Sequence, residues 1–312
     1  PAHIIVRPKD GQQGFIRDKN GQVLYALVDY ELLVRTPDHE AAVRKVHRQH
    51  YLQHMAKRFE TVACKPLPAH LKPTGVLGVD YIFSHAESTG GLLWVVGRDP
   101  DLVNYFLPER WRRTPKTALS STNQVFYTRT KDNIHLVWRI SRMGDTPAVT
   151  GIQAHVREIG THGYNSPFEE FARALRIGQG KLKAIYPRAI YMTGHKTDGV
   201  RHRFANDRYL KFQDWLTPDG DPVLRKEHDY ITIWGFWNGP DELLAAHDRQ
   251  HFQGINAEQA FLDGLITQPT QQELLESTAV RLRQDGFEDL NLKADHLLLS
   301  VSPDNLLVCG TL

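Results

Sequence analysis

Histidine enters a strand in the same local setting at two places in this chain. Leu290-Asn291-Leu292-Lys293-Ala294-Asp295-His296 runs straight into Leu297-Leu298-Leu299, and Pro1-Ala2-His3 runs into Ile4-Ile5-Val6. A polar loop that delivers a titratable side chain to the mouth of a buried strand has the shape of a catalytic loop, with that side chain facing a metal or a phosphate. Asp29, where the apolar run Val23–Val28 gives out, has the chemistry of a metal ligand or of a structural cap. Further along, Phe106-Leu107-Pro108-Glu109-Arg110-Trp111-Arg112-Arg113 interleaves aromatics with arginines, which reads as an aromatic core under solvated cations.

The elements that must carry these residues are legible in outline. Ile4–Val6 and Val23–Val28 read as strands around a long hairpin with turns at Lys9-Asp10-Gly11 and Lys19-Asn20-Gly21. A helix runs from Thr36 to about Phe59. Prolines at 66, 68 and 73 mark a linker over 61–75, the expected domain boundary. Strands follow at Val76–Phe83 and Leu92–Val96, then a short helix from Asp99, and a hairpin made by Gln124–Arg129 and Ile134–Ile140. Ser166-Pro167-Phe168-Glu169 opens a helix, with Ser166 as N-cap and Glu169 closing a capping box. Lys183–Tyr191 reads as a strand pair or a bent strand whose Pro187 marks an edge or a bulge. Residues 193–228 read as a polar, basic insertion with a solvated face, and Tyr230–Trp237 as a strand that breaks at Asn238-Gly239-Pro240.

Composition narrows the function classes. At 312 residues the chain holds one large or two modest domains, and 41% hydrophobic with 24% charged residues is ordinary for a globular protein. A net charge of +2 gives no bulk field for nucleic acid or an anionic membrane. The sixteen histidines show no Cys/His cluster at zinc spacing. Two cysteines exclude a disulfide framework and fit a reducing, cytoplasmic setting. Apolar runs are only strand-sized, so no membrane span is expected. Both ends fall inside strand patterns, and the expectation is a piece of a longer protein.

The order of elements resembles the protein-kinase-like superfamily, in an atypical or pseudokinase form. In that family a basic residue on the third strand of the small lobe pairs with a glutamate of the following helix and orients ATP phosphates. The resemblance implies an α+β, two-lobed domain over 76–312, preceded at 1–60 by the tail of a similar unit, either in tandem or as a circular permutation. It implies Arg139, Glu169 or Glu170, and Lys293 on the nucleotide, Asp289, Asn291 and Asp295 in the catalytic loop, and His296 and Asp29 on Mg²⁺. ATP would be the cofactor, and the phosphate acceptor stays unspecified. The chain departs from the family pattern in four ways: Arg139 stands for a lysine, Ser120-Ser121-Thr122-Asn123 holds no glycine, Asn291 cannot take a proton as a carboxylate does, and the acidic metal-binding motif expected after the last strand is not in this sequence. These departures leave a non-catalytic binding or scaffold module open beside the phosphotransferase. A nucleic-acid-associated protein, using Arg110–Arg113 and His195–Arg208, is the third reading.

Overall fold

The computed structural model describes residues 4–6, 14–27, 36–60, 67–120, 124–143, 145, 163–180, 182, 184–196, 207–225, 227–237, 253–289, 292–301 and 307–311. The chain divides into two compact units, Pro1–Val43 and Arg44–Leu312. The sequence pattern placed the boundary at 61–75 instead. In the first unit, β1 (Ile4–Val6) pairs antiparallel with β2 (Tyr25–Leu27), Ile4 opposite Leu27. The Asp18–Gln22 turn is closed by Asp18 Oδ1, which accepts from the backbone N–H groups of Asn20 (2.8 Å) and Gln22 (2.9 Å). Helix α1 (Pro37–Ala56) begins in this unit, with Asp38 and Glu40 in its first turn, where acids suit the helix dipole.

The second unit is mixed α+β, built on an eight-stranded antiparallel sheet. Its strands are β3 (Leu71–Val76), β4 (Val79–Ala86), β5 (Gly91–Val96), β6 (Lys116–Ala118), β7 (Val125–Arg129), β8 (His135–Ile140), β9 (Pro187–Met192) and β10 (Tyr230–Gly235). Their spatial order is β3-β4-β5-β9-β10-β8-β7-β6. Tight turns set the two wings. Leu77 and Gly78 both take positive φ (52° and 77°) between β3 and β4, the twist that a two-residue hairpin requires. At the β7–β8 turn the Thr130 hydroxyl accepts from the N–H groups of Asp132 and Ile134.

β5 and β9 are buried at all six positions, because both faces of the sheet are covered. One face packs Leu93, Val95, Tyr191, Ile231, Ile233 and Trp138 against Tyr51 and Met55 of α1, and against Phe106 and Trp111 of the short helices α2 (Val103–Phe106) and α3 (Pro108–Trp111). The other packs Tyr81, Phe83, Trp94, Val96, Ile190 and Tyr230 against Phe168 and Phe171 of α4 (Pro167–Gln179), and against Tyr209, Phe212, Val223 and Leu224. The described part of the polar stretch 193–228 is therefore partly core. Tyr209, Phe212, Val223 and Leu224, spaced among charges, are buried, while Leu210 and Leu216 are exposed.

The proline-rich segment also differs from expectation, since Leu71–Val76 is an edge strand and not linker. Proline cannot donate to a ladder, but Pro73 lies on the outermost strand of the sheet, where an edge leaves a residue's N–H without a ladder partner. Pro187 sits at an irregularity, as its sequence context suggested, but on a central strand. Ile233 pairs with Ala189 and Trp234 with Pro187, so Arg188 is the extra, bulged residue.

A smaller antiparallel sheet, β11 (Gln253–Asn256), β12 (Leu297–Val301) and β13 (Leu307–Thr311), has β12 in the middle. Its core joins Leu297 and Leu299 to Ala257 and Ala260 of α5 (Ala257–Leu262) and to Ile266. Helix α6 (Gln268–Gln284), capped by the Thr267 hydroxyl, lends Leu274 and Leu275 to the same core. Among the described residues no helix is long and apolar enough to cross a membrane.

Candidate functional site

Arg139 sits on β8, the third strand of the β6-β7-β8 meander, and the following helix is α4. Alternation along β8 turns Leu136 and Trp138 to the α1 face, which leaves Arg139 on the α4 face. Its Nη2 lies 2.7 Å from Glu170 Oε2, with the arginine side chain 38% and the glutamate side chain 15% exposed. Burial pushes the Glu170 carboxyl above the ordinary carboxylate range, and the Arg139 charge pulls partly the other way.

The preference between the two adjacent glutamates has a local cause. Ser166 caps α4 by accepting from the Glu169 N–H (3.2 Å), and the Glu169 carboxylate accepts from the Ser166 N–H (2.9 Å). Glu169 is thus committed to the capping box at its own helix start and Glu170, one position on, faces the sheet.

Across the ladder Arg139 stands opposite Thr232, which is fully buried and whose hydroxyl has no hydrogen-bond partner among the described residues. Trp234, two residues on, stacks edge-on against Phe171 of α4 at 4.8 Å, and its Nε1–H is likewise without a partner there. The floor beneath the ion pair therefore holds two buried polar atoms with unmet hydrogen-bonding capacity.

The loop residues form a second group. Ala294–His296 makes a 3₁₀ turn into β12, anchored by buried Ala294 and Leu297. His296 lies between two carboxylates: its Nδ1 is 3.6 Å from Asp289 Oδ2 and its Nε2 is 3.9 Å from Asp295 Oδ1. Lys293, at the start of that turn, is exposed. Asn291 and Asp29 lie outside the described residues.

A phosphate fits the first group: one side of the Arg139 guanidinium is held by Glu170 while the group stays reachable from solvent. Mg²⁺ fits the second group poorly. It demands octahedral oxygen donors, whereas the two carboxylates here approach opposite nitrogens of one imidazole.

Sequence reasoning missed two further polar clusters. His54 of α1 meets Asp99 Oδ2 through Nδ1 (2.6 Å) and Asp101 Oδ2 through Nε2 (3.9 Å). Asp99 is buried and caps the Pro100–Leu102 turn by accepting from the Asp101 N–H, so the cluster reads as a tie between α1 and that turn. The Asp99-Pro100-Asp101 sequence carried the turn signal, but nothing local pointed to His54, 45 residues away.

The other cluster centres on Arg188, which the bulge aims at α1. It is 1% exposed and lies near Tyr51, and burial pushes its pKa down to about 10. Pro187 was the visible sign of the bulge; the destination of the arginine was not encoded locally.

No protein-family model, curated protein or solved structure matches this chain.

Proposed function

We propose that the second unit is a kinase-like nucleotide-binding domain in which Arg139, steadied by Glu170, receives a phosphate group. The observation that carries this reading is the 2.7 Å pair itself. It joins a cation on the third strand of a meander to an acid on the next helix, the pairing by which the kinase-like small lobe orients ATP phosphates. The orphaned hydroxyl of Thr232 and indole N–H of Trp234 beneath the pair support a polar ligand on this face. The two-lobed fold belongs to the same proposal. In it the large sheet with α4 corresponds to the small lobe, and the Ala294–His296 turn with β12 to the catalytic loop.

Phosphoryl transfer is the second reading, favoured by one observation: Asp289, His296 and Asp295 converge at the mouth of β12. Against transfer stand the absence of glycine in 119–124 and the poor fit of Mg²⁺ to the described residues, so binding without turnover is the reading the geometry supports best.

Thermal-shift titration with ATP, with and without Mg²⁺, tests the proposal. The expected result is a saturable rise in midpoint for the intact chain that is reduced at least several-fold in apparent affinity by Arg139→Ala. No shift with millimolar nucleotide removes nucleotide binding. An Arg139→Ala variant that is less stable but binds unchanged leaves the pair a purely structural strut.

A further inference from the structure

On the α4 side of the unit, a pocket of about 640 Å³ opens between the C-terminal half of α4, the Leu77-Gly78 turn and residues 184–187. That volume is typical of small-molecule sites, which run from about 300 to 1,000 Å³. Its wall mixes polar and apolar surface almost evenly, with Leu77, Leu175, Ile185 and Tyr186 among the apolar lining, and its ionic content is lopsided.

Three arginines line it, Arg58, Arg98 and Arg176, against the single carboxylate of Asp80. Asp80 is already engaged, since Arg98 reaches its Oδ2 through Nε (2.9 Å) and Nη2 (2.8 Å). Neither Arg58 nor Arg176 forms an ion pair with a carboxylate among the described residues. Arg58 gives one N–H to the Met55 carbonyl (2.7 Å), while its Nε–H is buried without an acceptor there. Arg176 lies 5.8 Å over the Phe287 ring and is otherwise exposed. Burial also lowers the pKa of Arg58, so the protein holds a partly desolvated cation in the wall at a cost.

The β3–β4 turn falls at the same place. Leu77 has φ of 52°, a region that a branched, bulky residue rarely adopts, and its side chain forms part of the pocket. That conformation is the one the two-residue β3–β4 turn requires.

We infer that this pocket binds a small organic anion with an apolar body, whose carboxylate, sulfonate or phosphate group supplies a counter-ion that Arg58 and Arg176 do not find among the described residues. The apolar body would lie on Leu175, Ile185 and Tyr186. The two cations make the pocket selective for charge, because an uncharged molecule of the same shape gains only the apolar contact.

The experiment uses the full chain and two fluorescent ligands of similar shape, anionic 8-anilino-1-naphthalenesulfonate and uncharged N-phenyl-1-naphthylamine. Saturable, one-site binding of the anion is expected, about tenfold tighter than the uncharged analogue, which is the scale of a charged hydrogen bond. Arg176→Ala, at an exposed position, should weaken the anion about threefold to tenfold and leave the uncharged ligand unchanged. Ala174→Trp, which fills the pocket from α4, should abolish both, with folding checked by circular dichroism.

Aryl phosphate and aryl carboxylate competitors then separate the two natural sources of such an anion; displacement by either supports the inference. Equal affinity for the charged and uncharged ligands, indifference to both variants, or failure of the anion to saturate overturns it. Arg139→Ala should leave this binding unchanged; if it does not, the signal belongs to the proposed nucleotide site and the inference is likewise overturned.

Discussion

Arg139 and Glu170 are joined at 2.7 Å across the interface of β8 and α4, with the carboxylate largely withdrawn from water and the guanidinium partly in it. That asymmetry decides what each truncation does. Removing the arginine strands a buried carboxylate, whereas removing the glutamate leaves a cation that solvent can still reach. Arg139→Ala should therefore cost about 1–2 kcal/mol of unfolding free energy, less than a fully buried pair because the arginine end is screened. Glu170→Gln should cost less. A double-mutant cycle by urea denaturation measures the coupling, and additive effects would dissolve the pair as an energetic unit.

The same pair sets a pH dependence. Glu170 holds its proton more tightly in the folded protein than in the unfolded chain, because burial raises its folded pKa. In the interval between those two titrations the folded state binds more protons, so stability contributed by Glu170 is full at lower pH and lost as pH rises. Unfolding free energies measured from about pH 4 to pH 7 should show the intact chain losing stability relative to Glu170→Gln as pH increases. A difference that is flat, or that runs the other way, contradicts the assignment of the burial effect to Glu170.

Ser166 is fully buried and closes the capping box with Glu169. Ser166→Ala leaves an N-terminal amide of α4 unmet in a place that water does not reach. A loss of about 1–2 kcal/mol is expected, at the upper end for caps. Ser166→Thr should recover part of it, since a hydroxyl at the same position can still accept from the Glu169 N–H. If alanine is tolerated at no cost, the start of α4 is held by packing of Phe168 and Phe171 alone.

These residues also mark how far the sequence could be read. The α4 cap was legible because its signals are local: Ser, Pro and Glu at fixed offsets. The pairing of Arg139 with a glutamate of that helix was anticipated, but not which one, because the choice depends on Glu169 being drawn back to Ser166. The size of the sheet was not legible. β3 is disguised by Pro73, which an edge position tolerates, and β9 enters the centre of the sheet behind a proline that suggested an edge or a bulge. In 193–228, charges dominate the composition while Tyr209, Phe212, Val223 and Leu224 fill the core. Periodicity fails there because the described residues of the segment are held in short turns with no continuous helix or strand, apart from the 3₁₀ helix Asp207–Phe212. The pocket arginines come from three segments far apart in sequence, so no local pattern could unite Arg58, Arg98 and Arg176.

Gly97 links the exit of β5 to the chain after α1, and it tolerates no side chain. Its φ is 109°, and a Cβ added there would meet the Arg58 carbonyl oxygen at 2.5 Å. That carbonyl in turn accepts from the Arg98 N–H at 2.6 Å, so neither partner can retreat without breaking the contact that brings Arg58 and Arg98 to the same pocket. Gly97→Ala combines a disfavoured backbone conformation with a clash against backbone, and a loss of about 2–4 kcal/mol is expected in chemical denaturation. The site-specific consequence is sharper than the global one. Under conditions where the variant remains folded, displacement of Arg58 should weaken binding of 8-anilino-1-naphthalenesulfonate, while the nucleotide-induced thermal shift that depends on Arg139 persists. Retention of full anion affinity in folded Gly97→Ala would mean that the pocket does not depend on this close approach.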